Sequence, residues 1–236
     1  MIPNPYAGMS PSSRAAWFDV DTEPSDGDIE AFDRMVLPVL LDPPSFLAMP
    51  PLDRLRATVD YVTVHPEKHD QSVWTSTEID PGADVTELAG PVVQAREECW
   101  CGDCGAPRAV SEYSPLRIGL TSSLSCGTSA CLAGWGAMFA GALPAIRASS
   151  WDIGMAKVIT GFPAVVAELR YRQGSSDATM EMSRVLTLDG AVMGVSEYAA
   201  GLFDLDRQNS ATLFADSNDL AYLRELVADI ERAAAE

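Results

Sequence analysis

The chain has 236 residues, 47% of them hydrophobic, and a formal net charge of −18. That length and apolar content support one substantial domain with a buried core and argue against wholesale disorder. The charge disfavours a protein that grips nucleic-acid phosphates and reads first as serving solubility; a basic or nucleic-acid-binding protein partner, or imitation of a polyanion, is the functional reading beside it.

Lys68 and Lys157 are the only lysines, a mark of GC-rich coding rather than of mechanism. The N-terminus, MIPNPYAGMSPSSR, lacks a basic stretch followed by an apolar one, so no secretory signal is expected and the chain reads as cytoplasmic. Residues 1–27 are rich in Pro, Ser and Asp and read as an extended arm, ahead of a single helical domain over 28–236. DVDTEPSDGDIE (19–30) has the alternating acids of a calcium loop, but Pro24 stands where such a loop needs glycine.

Residues 28–41 predict a helix with Phe32, Met35, Val36 and Val39 on one face, disturbed by Pro38. Residues 52–64 predict a second, through Leu52, Leu55, Val59 and Val62, stopping at HPEKHDQSVW, where Pro66 restricts His65. Residues 75–117 are acidic and poorly periodic and read as an irregular insertion containing CWCGDCGAP. Residues 127–143 predict a helix buried on most sides. Ala130, Gly134, Ala137 and Gly141 make a stripe of small residues beside Cys131, Trp135, Met138 and Ala142. The uncharged run 118–146 suits this buried helix better than a membrane span, because its first half is Ser-, Thr- and Gly-rich. Residues 180–195 suggest a small hairpin around Asp189-Gly190; 196–205 and 206–214 suggest short helices; 217–236 suggests a closing helix through Leu220, Leu223, Val227 and Ile230. The fold expected is mainly α (α+β): a compact helical domain with a small β-hairpin and an irregular cysteine-containing insertion.

The five cysteines are Cys99, Cys101, Cys104, Cys126 and Cys131. An odd number crowded into one third of the chain does not read as a disulfide framework. Cys101-Gly-Asp-Cys104-Gly has the form of a zinc knuckle, and Cys99 and Cys126 are candidates to complete one structural zinc site; a redox pair and free thiols are the other readings. Cys126, placed before a helix N-terminus, is a candidate nucleophile with His65 or His69 as base. The HPEKH order differs from that of zinc proteases. Cys131 reads as a small core residue.

HPEKHDQSVW followed by CGTSACLAGW, with AAGLFDLDRQNSATLFADSNDLAYL near the end, resembles an uncharacterised family of actinobacteriophages and high-GC bacteria. The matching positions are His65, Pro66, Glu67, Gln71, Trp74, Cys126, Gly127, Thr128, Cys131, Ala133, Gly134 and Trp135. The resemblance implies a small intracellular helical domain without an assigned activity. The motif also has a purely physical reading. The turn ends one helix, Asp70 and Gln71 satisfy nearby backbone ends, and Trp74 and Trp135 pack over the central helix. A non-enzymatic, acidic protein-binding protein is therefore the leading expectation, with polyanion mimicry and a virion component as its subtypes. A cysteine-dependent hydrolase or transferase and a small zinc protein are the alternatives.

Overall fold

The computed structural model describes residues 2–7, 24–72, 74, 76–78, 84–97, 110–116, 130–147, 152–153, 156–157, 179–181 and 183–235. Helix α1 (Asp26–Met35) opens on a capping box: Ser25 Oγ accepts from the Asp28 amide, and the Asp28 carboxylate accepts from the Ser25 amide. Pro38 has no amide hydrogen to continue the ladder, so the single helix expected over 28–41 becomes α1 and a short α2 (Leu37–Leu40). Paired prolines start each of the next two helices, α3 (Pro43–Leu47) and α4 (Pro51–Val64). Helix α4 is buried along nearly its whole length. Its buried Thr58 and Thr63 hydroxyls donate to the Arg54 and Val59 carbonyls, so neither is left unpaired.

After a 3₁₀ turn at Pro66–Lys68, strand β1 (Ser76–Glu78) leads to α5 (Val85–Leu88), β2 (Val93–Glu97) and β3 (Val110–Pro115). Helix α6 (Leu132–Phe139) is followed by β4 (Leu143–Arg147), β5 (Asp152–Ile153), β6 (Ala156–Lys157), β7 (Thr179–Glu181), β8 (Arg184–Leu186) and β9 (Ala191–Gly194). Helices α7 (Val195–Phe203), α8 (Arg207–Leu213) and α9 (Leu220–Ala235) complete the chain. Among the described residues, no helix is long and apolar enough to cross a membrane.

Strands β2, β3, β4, β8 and β9 close into a barrel in that order. Each neighbouring pair is antiparallel except β2 with β9, which is parallel. An odd number of strands cannot alternate all the way round, so one parallel contact is required. This barrel overturns the expectation of a helical domain with only a small hairpin. Turn 188–190 is present, with Gly190 at φ +83°, but it joins two barrel staves. Part of the stretch expected to be an irregular insertion supplies two more, at 93–97 and 110–115. The strands escape a sequence reading because they are short and their inward residues include Ala95 and Ala145, which give little hydrophobic alternation.

The β8–β9 hairpin is a wall shared by two cores. The cross-strand pair Leu186 and Val192 faces the barrel interior with Ala95, Tyr113 and Ala145. The adjacent pair Val185 and Met193 faces the helical core. The period-two alternation of a strand thus joins the barrel to the helices without a linker. At one barrel end the inward layer is polar: Tyr113 Oη donates to Glu97 at 2.9 Å, and Arg147 Nη2 lies 2.8 Å from Ser111 Oγ and 3.2 Å from Glu97.

The helical core centres on Tyr61, Trp135 and Phe139, whose ring centroids lie 4.9–5.7 Å apart. Helix α6 threads this core and packs closely on α7. A Cβ at Gly136 would lie 2.4 Å from Cζ of Phe203, so that buried ring must shift to admit it. Close approach occurs on α6 at Gly136; of the small-residue stripe, Ala130 and Gly141 lie outside the helix, and a Cβ at Gly141 would lie 3.1 Å from Pro43 Cβ. Gly136→Ala is expected to destabilise the fold by about 1–3 kcal/mol through overpacking, read as a lower denaturation midpoint with an unchanged denaturant slope.

Candidate functional site

Gln71, Trp74, Cys131 and Trp135, four of the residues singled out in the sequence, meet where the turn after α4 covers the start of α6. Lys68 to Asp70 run beside Ala130: the Ala130 amide donates to Lys68 O at 3.1 Å and the Asp70 amide to Ala130 O at 3.2 Å. Trp135 Nε1 also donates to Lys68 O, at 2.9 Å. The turn is therefore fixed by α6 from two directions.

Gln71 is the hub of this junction. Its Nε2 donates to Leu213 O at the end of α8, and its Oε1 accepts from the Leu132 amide at the first residue of α6. The same oxygen lies 3.1 Å from His69 Nε2. Because Oε1 only accepts, His69 must carry its hydrogen on Nε2. Burial holds this imidazole below its usual range, against the smaller opposing effects of Gln71 and Asp70.

Cys131, not Cys126, is the N-cap of α6. Its Sγ accepts from the Gly134 amide at 3.4 Å, and its thiol donates to Trp74 O at 3.7 Å. Two effects oppose each other here. The helix N-terminus favours a thiolate, but burial disfavours it more, and the thiol is pushed up to about 11. From an ordinary value of 9.0, that shift leaves roughly a hundredth of the usual thiolate at neutral pH. Iodoacetamide is accordingly expected to label Cys131 in the native protein about 100-fold more slowly than a free thiol. Peptide mapping reads the rate, and labelling at the free-thiol rate would contradict this burial.

The two histidines do not share a face. Helix α4 stops at Val64, the 3₁₀ turn intervenes, and His69 is extended. His65 Nε2 lies 3.1 Å from Asp33 on α1, and its ring packs 5.0 Å from that of Tyr61. Glu67 is exposed, 3.9 Å from His65 Nδ1. The cysteines proposed for zinc, Cys99, Cys101, Cys104 and Cys126, lie outside the described residues, as do Gly127 and Thr128. Among the described residues no group of three or more His, Cys, Asp or Glu side chains is placed to hold a metal ion.

A second polar cluster went unnoticed in the sequence. Residues Ile2–Ala7 lie against α3 and α4: the Ile2 amide donates to Ser45, Asn4 to Asp53, and the fully buried Tyr6 to Asp60 at 2.7 Å. Nearby, Arg56 on α4 makes a two-pronged contact with Glu231 on α9. The helical spacing puts Asp60 beside Asp53 and Arg56, away from Leu52, Leu55, Val59 and Val62, so it reads as part of a solvated face; the burial of α4 on nearly all sides makes it a core group.

The third feature is an open groove of about 850 Å³ between the start of α4, the α7–α8 junction and α9. Phe203 and Leu213 form part of its lining, with Asp204 and Asp229 as its ionisable residues.

With this geometry in hand, the chain was compared with known proteins. It matches no protein-family model, no curated protein and no solved structure.

Proposed function

We propose that the protein is a non-enzymatic, acidic binding protein that regulates a basic partner through protein–protein contacts in the cytoplasm. The observation that carries this reading is the net charge of −18, which attracts basic surfaces and repels nucleic acid. The engagement of Gln71, Cys131 and Trp135 with backbone groups, and of His69 with the Gln71 side chain, supports a structural role for the motif. Gln71, Cys131 and Trp135 are among the positions that carry the phage and high-GC bacterial resemblance. A structural zinc held by the cysteines of 99–104 is compatible with this reading, and native mass spectrometry before and after acid denaturation tests it.

The test of the main reading is size-exclusion chromatography with light scattering, on the chain mixed with an extract of the cells that encode it. A discrete complex of fixed stoichiometry that separates at high salt is expected. The chain running alone at every salt concentration counts against the proposal. Alkylation of Cys126 faster than a free thiol would instead favour the cysteine enzyme, with His65 or His69 as its base.

A further inference from the structure

Helix α9 has one broad apolar face, part of it buried in the helical core and part of it open. Leu223 and Val227 are fully buried in the helical core. Leu226, Ile230, Ala233 and Ala234 recur at i, i+4, i+7 and i+8 and line the open groove. Leu226 and Ile230 are only partly covered, and the two alanines are exposed. The stripe runs along the helix, so it presents an elongated apolar surface rather than a compact pit.

The charge around that stripe defines what fits it. Among the described residues that line the groove, the ionisable groups are Asp204 and Asp229, with no lysine or arginine. Asp229 does meet Arg232 at 2.8 Å, but both side chains are about two-thirds exposed, so the pair is readily exchanged. Arg54 acts on Asp204 from outside the lining, with its Nε donating to Met49 O. A second copy of this chain would bring another 18 negative charges, and nucleic acid would bring phosphates. A cationic partner escapes both repulsions. Gln208 and Asn209 on α8 add polar groups along one edge.

We propose that this groove is the docking site for a basic amphipathic helix of the partner protein, laid along α9 with its apolar side on Leu226, Ile230, Ala233 and Ala234. The inference rests on the protein-binding reading above and names the surface and the partner class. Apolar contact supplies the affinity, and cationic residues flanking the partner's apolar stripe face Asp204 and Asp229.

The test uses a fluorescent Leu/Lys peptide of about 18 residues, with leucines at helical spacing, and a scrambled peptide of the same composition. Binding to the full chain is followed by anisotropy at physiological salt. The ordered peptide is expected to bind at least about tenfold more tightly than the scrambled one. Ala233→Arg, at an exposed helical position, should weaken it by about tenfold or more. Leu188→Arg makes the same charge change at the exposed hairpin tip and should leave binding little altered. Equal binding of both peptides, equal effects of the two substitutions, or no binding would overturn the groove assignment. Dimerisation of the chain that Ala233→Arg abolishes would overturn it in favour of a second copy. A complex in the cell extract that survives Ala233→Arg removes the groove but leaves the protein-binding reading standing; absence of any complex removes that reading itself.

Discussion

Gln71→Ala is expected to destabilise the protein by roughly 2–4 kcal/mol, although its side chain carries no charge. Truncation leaves the buried Leu132 amide unpaired, removes the His69 contact, and takes one of two donors from the Leu213 carbonyl, which keeps Asn218 Nδ2 at 3.1 Å. Each buried polar group left unpaired costs about 1–3 kcal/mol, more than the modest net gain of making the bond. The loss also falls on a junction between three segments, the turn, α6 and α8, of which, among the described residues, only the Leu213 end is served by a further side chain, Asn218. Chemical denaturation at neutral pH reads the effect. Gln71→Glu separates hydrogen bonding from simple packing. An ionised glutamate can accept from Leu132 but cannot donate to Leu213, whereas its protonated form can do both. Its deficit relative to wild type should therefore shrink as pH falls. A loss below about 1 kcal/mol for Gln71→Ala would mean that water replaces the amide and that the hub is not structural.

The Gln71 junction also marks how far sequence reasoning reaches. That a helix ends at His65-Pro66, and that Gln71 satisfies backbone ends, follows from local chemistry: proline restricts the residue before it, and a polar side chain beside helix termini has unpaired groups to serve. The identity of the distant end does not follow, because Leu213 is 142 residues away. The helices were legible for the same local reason, with Leu223 and Val227 marking the buried face of α9 by their spacing. The barrel was not. Its closure depends on pairings such as Arg96 with Ala191, between strands too short to carry a pattern of their own. The start of α6 was missed by several residues because Ser125, Thr128 and Cys131 are all chemically able to cap. Tertiary context made Cys131 the cap, by holding Ala130 in extended pairing with the turn.

Gly136 and Cys131 together explain why a cysteine-rich, glycine-rich segment suggested chemistry. Small residues near a helix start are what a reactive thiol needs for access, and also what close packing of two helices needs. The structure separates these at Cys131 by burial: no part of that residue is exposed, and the core around it raises rather than lowers its pKa. A motif can therefore be dense in potentially catalytic residue types while its side chains fasten one turn to one helix.

Asp60→Asn is expected to flatten the dependence of stability on pH and to make the protein more stable than wild type above neutrality. Burial pushes the Asp60 carboxyl up to about 7 from an ordinary 3.8, despite the charge of Arg56 and the hydrogen bond from Tyr6. The groups acting on it come from each packed element: Tyr6 on the N-terminal segment, Arg56 on α4, and Glu231 and Arg224 on α9. Between pH 4 and 7 the folded protein holds a proton on Asp60 that the unfolded chain has released. Stability contributed by this group is therefore complete below about pH 4, falls as pH rises, and levels off above about pH 7. The three-unit gap corresponds to about 4 kcal/mol across that window. Asparagine keeps an oxygen for the Tyr6 hydroxyl and has no proton to lose, so the difference between wild type and variant isolates Asp60 from the other titrating groups. Tyr6→Phe acts in the opposite sense at high pH. It removes the donor that supports the ionised carboxylate, and is expected to destabilise by about 1.5–3 kcal/mol at pH 8 and by less at pH 5. Urea unfolding of the three proteins at these two pH values decides the matter. Parallel pH profiles for wild type and Asp60→Asn would show that Asp60 is ionised throughout and that Arg56 outweighs its burial.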